Sequence, residues 1–265
     1  FGWPSALALS VGVLIIALGF VIPAGQLAIW AASRWHENVN SQFLDLLFNS
    51  FSLAFVAALC CLLVAIFLAY SKRIFNTRLE QGAIGIASLG YAVPGTVIAV
   101  GVLIPIAWLD NQIDFLSRTW FDYPTGLLLS GTLGILVFTY LVRFLSIALN
   151  TVDSGLISIK PNLDESARSL GASPSKVLRR IHLPILRTSL LTALLLVFVE
   201  VLKELPTTLI LRPFNFNTLA VRTYELASDE RLMDAALPAL AIVIIGLLPV
   251  LLITKSILKE RLTND

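Results

Sequence analysis

Six stretches of this chain are apolar for about 17 to 26 residues with few interruptions, and that length limits what the chain can become. A hydrocarbon layer about 30 Å thick is crossed by roughly 20 helical residues, and only helices and closed barrels satisfy their backbone groups inside it. The stretches run approximately from Ala6 to Trp30, Ser50 to Tyr70, Ala83 to Trp108, Thr125 to Ile147, Ile185 to Leu205 and Leu237 to Ile253. Each is too long for a strand. The expected fold class is all-α: a polytopic membrane protein of six transmembrane helices, with residues 1–265 forming one membrane domain. Composition agrees, since 57% of the residues are hydrophobic and 14% charged, against roughly 45–50% and 25% in ordinary globular domains.

Cys60 and Cys61 are neighbours in an apolar run, which suits neither a disulfide framework nor a metal cage, so they read as small buried residues. A net charge of +2 is too small to indicate nucleic-acid binding. The opening "FGWPSALALS" lacks the initiating Met and basic n-region of a signal peptide, and suggests a chain that begins partway through a longer product.

The distribution of Lys and Arg sets the expected orientation. Lys72, Arg73 and Arg78 lie in the second connection, Lys160, Arg168, Lys176, Arg179 and Arg180 in the fourth, and Lys255, Lys259 and Arg261 in the tail. The first and third connections are neutral to acidic, with Arg34 against Glu37 and Asp45, and Arg118 against Asp110, Asp114 and Asp122. The positive-inside rule then puts both termini and the fourth connection on the cytoplasmic side of the membrane.

The fourth connection, at about 150–184, contains "DESARSLGASPSKVLRRIHLP" from Asp164 to Pro184. Asn162 can cap a helix beginning at Leu163, with Glu165 at N3 closing a capping box. Leu163, Ala167 and Leu170 would share one face, and Gly171 would end the helix in a left-handed conformation. Ser173 and Pro174 then serve as cap and first residue of a second helix. An interfacial amphipathic helix would satisfy the same spacing.

Glu165, Ser166, Ala167, Gly171, Ile181, Leu183 and Pro184 resemble the EAA loop of ABC-importer permeases, E-A-A-x3-G-x9-I-x-L-P, with Ser166 in place of the second position's alanine. "YAVPGTVIAVGVL", "VRFLSIALNTVDSGL" and "LKELPTTLILRPFNFNTLAVRTYELASDERLMDAALPAL" are similar to the bacterial ferric-iron uptake permeases, and to their second membrane half. The resemblance implies a type I importer permease fold, in a bacterial plasma (inner) membrane. It implies a coupling helix that docks on an ABC ATPase subunit dimer, through Glu165, Ser166, Ala167, Leu170, Gly171, Ala172, Ser173, Ile181, Leu183 and Pro184. It further implies a second permease half, fused or identical, and an extracytoplasmic substrate-binding protein, with iron or another solute such as thiamine, polyamine, sulfate or phosphonate as cargo. The chain has no G-x4-G-K-[ST] loop, so it is expected to be no enzyme, with ATP and Mg on the partner subunit.

Ionisable residues in the spans are candidates for the translocation path: Arg143 near the cytoplasmic end of the fourth, and Glu200, Lys203 and Glu204 near the outer end of the fifth. Structural roles compete in each case, snorkelling for Arg143 and intrahelical pairing for the other three. Gly90, Pro94, Gly95 and Pro105 break the third span and could form a hinge. Pro206 is expected to end the fifth helix and open an outer segment at about 206–236, in which "ELASDERLMDAALP" has helical spacing. His36 and His182 lie in connections on opposite sides, and no metal site is expected. A secondary transporter or channel would call for carboxylates near the midplane and an inverted repeat. A membrane enzyme would call for a convergent catalytic set.

Overall fold

The computed structural model describes the backbone of residues 3–75 and 77–264, and the side chains of these except 4, 79, 248, 249, 252, 253 and 255–264. The side chains of Ile253, Lys255, Lys259 and Arg261 therefore lie outside the described residues. All regular structure among those described is helical. We number the principal helices α1 (Ser5–Ser33), α2 (Ser41–Phe75), α3 (Arg78–Ser88), α4 (Gly95–Phe121), α5 (Leu133–Ile157), α6 (Pro161–Ser169), α7 (Pro174–Ile185), α8 (Arg187–Leu202), α9 (Pro206–Leu211), α10 (Leu219–Ser228) and α11 (Leu232–Asn264).

Four of these, α1, α2, α4 and α5, are long and apolar enough to cross a bilayer, and the bent pair α7–α8 can supply a fifth span. The sixth expected segment, Leu237 to Ile253, lies within α11, whose backbone is helical from Leu232 to Asn264, and several of its side chains lie outside the described residues. The third expected span is not one helix. The apolar run from Ala83 crosses a break: α3 stops at Ser88, a 3-10 turn follows at Gly90–Ala92, and Val93 is extended before Pro94 and the start of α4. Proline disfavours helical geometry in the residue before it, so Pro94 sets the boundary.

The fourth span is displaced toward the C-terminus of its expected range, because residues 122–132 are not helical. This segment is held by two carboxylates from α4. Asp110, fully buried, accepts the backbone N–H groups of Leu128 (3.2 Å), Leu129 (2.9 Å) and Ser130 (2.8 Å). Asp114 accepts those of Thr125 (2.8 Å) and Gly126 (2.9 Å). Both residues, assigned to a connection from sequence, are helical; their partners follow the turn that Asp122 begins with φ 50°. Asp110→Ala removes three hydrogen bonds to part-buried donors and is expected to cost about 1–2 kcal/mol, seen as faster amide exchange at Leu128–Ser130 and a lowered melting temperature in detergent.

The fifth span bends by 76° between α7 and α8. Pro184 cannot donate a backbone hydrogen bond, and a π-turn at Leu178–His182 precedes it, so the helical ladder is already interrupted at this point. With 16 residues, α8 is about 24 Å long and ends short of a full crossing. Pro206 begins α9 instead of terminating α8, which stops at Leu202. "ELASDERLMDAALP" is likewise two helices, interrupted where Glu230 takes φ 61°.

The chain forms two compact units, residues 1–50 with 217–246 and residues 51–216 with 247–265. In the first, Ala31, Ala236 and Leu237 form a small core against Leu27, Trp30, Phe43 and Leu240. Within it Ser50 accepts the N–H of Leu219 at 2.7 Å, beside the Thr218 cap of α10. In the second, α8 packs along α5 around Tyr140, Phe144, Val197 and Phe198, all buried.

Candidate functional site

Two places in the second unit gather the residues that the sequence singles out. The first is the elbow between α6 and α7. Helix α6 begins at Pro161, with Lys160 in the cap position and no side-chain cap, so Asn162 does not cap it and Glu165 lies beyond N3. Proline at the first helical position has its φ preset and lacks only an N–H that would be unpaired anyway, which explains the earlier start. The C-terminal end is as expected: Gly171 has φ 76°, its N–H reaches Arg168 O (2.9 Å), and Ala172 N–H reaches Ala167 O (3.0 Å). This pair of bonds is a Schellman closure. Ser173 and Pro174 then start α7, although the Ser173 hydroxyl makes no cap bond.

The elbow leaves Glu165, Ser166 and Leu170 outward, Leu170 at 88% exposure, while Ala167 and Val177 are buried. Leu163, Ala167, Leu170, Ala172, Val177 and Ile181 line a shallow apolar groove between the two helices, with Lys176 and Arg180 at its edge. Leu183 and Pro184 continue α7 into the bend.

Behind the elbow is a charge network absent from the sequence expectations. Asp164 accepts Arg73 Nε through Oδ2 at 2.8 Å and His182 Nε2 through Oδ1 at 2.6 Å. Arg73 also donates to the carbonyls of Leu156 and, at 3.0 Å, Ile159, at the C-terminal end of α5. His182 is 1% exposed, its ring edge-on to Tyr70, whose hydroxyl donates to Pro174 O at 2.6 Å. Burial alone would push the Asp164 carboxyl up, but the bonds from Arg73 and His182 outweigh it and hold it below its ordinary value. A depressed carboxyl stabilises the fold above its unfolded value, near pH 4, and that contribution is lost as pH falls through the depressed one. Protection of the α6 amides from exchange, measured against their intrinsic rates, is therefore expected to fall as pH drops below about 4 in the parent chain, and to vary less with pH in Asp164→Asn.

The second place lies midway along α5. Helix α5 has 25 residues, and Arg143 lies about 15 Å along it, not at its end. Its Nη1 is 3.4 Å from Glu204 Oε1. Glu204, 7% exposed, also accepts the N–H (3.1 Å) and hydroxyl (2.7 Å) of Thr207 in the first turn of α9. Thr208 donates to Glu204 O at 2.6 Å, so its hydroxyl oxygen is left to accept from Tyr140 at 2.5 Å. The four expected path residues thus separate: Glu204 joins Arg143, and Glu200 pairs with Lys203 at 2.8 Å. Both glycines of the candidate hinge abut α5. A Cβ at Gly90 would strike the carbonyl oxygen of Val142, and one at Gly95 would strike Arg143 Nη1. Among the described residues no group of three or more His, Cys, Asp or Glu is placed to hold a metal ion.

The helical fold with its broken spans is shared with chains of ABC importers of known structure. The structure overlays that of a bacterial ABC transporter involved in import of alginate with a TM-score of 0.72 at 15% identity, covering 96% of this chain and 94% of that one. A chain of the MetNI methionine ABC transporter gives 0.57 at 16% identity, covering 82% and 99%. Residues 27–260 match the binding-protein-dependent transport system inner membrane component family, and the chain belongs to that family. It is a type I ABC importer permease, similar to ferric uptake permeases. It is 27% identical over 256 residues to the Fe(3+)-transport system permease protein FbpB 2 of Haemophilus influenzae, covering 96% of this chain and 46% of that protein. It is 26% identical over 218 residues to the putative 2-aminoethylphosphonate transport system permease protein PhnV of Salmonella typhimurium, covering 82% and 76%. The chain thus spans about half of the first relative and three quarters of the second.

Proposed function

We propose that this chain is one membrane half of an ATP-driven, binding-protein-dependent importer, and that α6 with the α6–α7 groove receives the ATPase subunit. The observation that carries this reading is the elbow itself. A short helix closed by a left-handed glycine presents Leu170 almost fully exposed beside an apolar groove. Such a surface is shaped for a protein partner, whereas an interfacial helix would turn its apolar face toward lipid along its whole length. In this reading both termini and the elbow face the cytoplasm. The ATPase pair holds ATP and Mg, a substrate-binding protein delivers the cargo on the other side, and an identical or fused second half completes the pathway. The break at Gly90–Gly95 would serve as a hinge during the change of access.

Leu170→Glu tests the docking surface with little risk to the fold, because the side chain it replaces is exposed. It is expected to weaken ATPase binding by about tenfold or more, as loss of an anchor at an interface does, read as lost co-purification of the ATPase with tagged permease. Undiminished co-purification would contradict the docking reading.

Ferric iron is the cargo we favour, on the resemblance over most of the chain to permeases named for Fe(3+) transport. An anionic solute such as a phosphonate is the alternative, favoured by PhnV and by Arg143, whose buried Nε makes no hydrogen bond. Competition between labelled ferric ion and 2-aminoethylphosphonate for uptake separates the two.

A further inference from the structure

Asp164 precedes the exposed docking face of α6 and is turned inward, with both carboxylate oxygens engaged. Its two partners belong to different parts of the unit. Arg73 is near the end of α2 and also binds the carbonyls of Leu156, in the last turn of α5, and of Ile159 just beyond it, and His182 is in the π-turn that leads into the bent fifth span. Three helices are therefore joined to α6 through one side chain. A guanidinium on the carbonyl end of α5 is in the favourable sense for the helix dipole, so Arg73 is held from both sides.

The apolar contacts of Ala167 and Val177 cannot supply this connection. Contact between small apolar groups is without direction and lets one surface slide or turn on another, whereas charge-assisted hydrogen bonds fix both distance and orientation. Without Asp164, α6 would be held by its two flanking turns and the groove. A force on Leu170 could then rotate it in place without moving α2, α5 or α7.

We propose that Asp164 is a positioning residue that transmits movement of the docked α6 to the membrane helices, through Arg73 to α2 and α5 and through His182 to the bend between α7 and α8. This rests on the reading of α6 as the ATPase-docking helix. Asp164 touches neither ATP nor cargo. Its role is to make the stroke of one body the stroke of the other, which is what a coupling free energy between two sites requires.

The test uses the whole complex in proteoliposomes, with substrate-loaded binding protein, and reads three quantities: ATPase retained on the permease, ATP hydrolysed, and substrate taken up per ATP. For Asp164→Asn, retention is expected at the parental level and hydrolysis within about twofold of it, while uptake per ATP falls by about tenfold. Arg73→Gln should give the same phenotype, and the double variant should be no worse than either single one, because all act on one network. Unchanged uptake per ATP in Asp164→Asn overturns the proposal. So does a fall that comes with loss of the ATPase, which marks a purely structural role, or an additive double variant. Failure of the docking reading looks different: Leu170→Glu then keeps its ATPase whatever Asp164→Asn does, and the linkage falls with it.

Discussion

Gly90→Ala is expected to destabilise the second unit by about 3 kcal/mol, at the upper end of what overpacking costs. The added Cβ would lie on the carbonyl oxygen of Val142, in the middle of α5, with Arg143 Cα at 3.4 Å. What it meets is backbone, so no rotamer change relieves the contact and α5 itself must shift. That helix is packed against α8 and is the structural axis of the unit. Gly101→Ala is the matched control, since a Cβ there meets nothing within 4 Å and the residue lies inside α4. It should gain about 0.5–1 kcal/mol from helix propensity. Thermal unfolding in detergent, followed by circular dichroism, should therefore move the two variants in opposite directions. Equal behaviour would show that the α3–α4 break is not pressed on α5 as described.

Arg143→Ala should cost about 3 kcal/mol, because it leaves the Glu204 carboxylate buried and without its cation. The figure is at the low end of the range for buried pairs, as the Arg143 side chain is 18% exposed. Replacing both partners should cost far less than replacing one. In Arg143→Met with Glu204→Gln, the glutamine oxygen can still accept from Thr207, and no charge remains to be neutralised. The pair of measurements, unfolding free energy and uptake, also assigns a role to the junction. Recovery of stability without recovery of uptake would mean that the charges act on cargo, whereas recovery of both would make them a structural staple.

The all-helical class and the glycine elbow were legible in the sequence because both rest on local signals. Apolar runs announce themselves at any position, and Gly171, Ser173 and Pro174 mark a helix end and a new start by their own backbone chemistry. Boundaries set by a single proline were harder. Pro161 starts α6 where Asn162 looked like a cap, and Pro94 divides a run whose hydropathy is nearly continuous. Helix α3 had a readable signal that the apolar pattern obscured, the Thr77–Glu80 capping box, in which both reciprocal bonds form.

The networks were not legible at all. Asp110 looks like a loop charge until the N–H groups of Leu128 to Ser130 fold back on it. Asp164 looks like one more polar residue in a polar stretch until Arg73 and His182 converge on it. Glu204 stands a turn from Glu200 and near Lys203 in sequence, yet takes its partner from another helix, because α8 ends before it and α9 turns it inward. In each case the partner is brought by tertiary packing, which local spacing does not encode.

The central claim is that transport through this chain is driven from the α6 elbow by a separate ATPase. The direct measurement is uptake of labelled substrate into proteoliposomes holding the complete complex and loaded binding protein, with and without ATP, for the parent chain and for Leu170→Glu. Uptake that requires ATP and is lost in Leu170→Glu is the predicted result. Uptake that proceeds without the ATPase, or that survives Leu170→Glu unchanged, would contradict it.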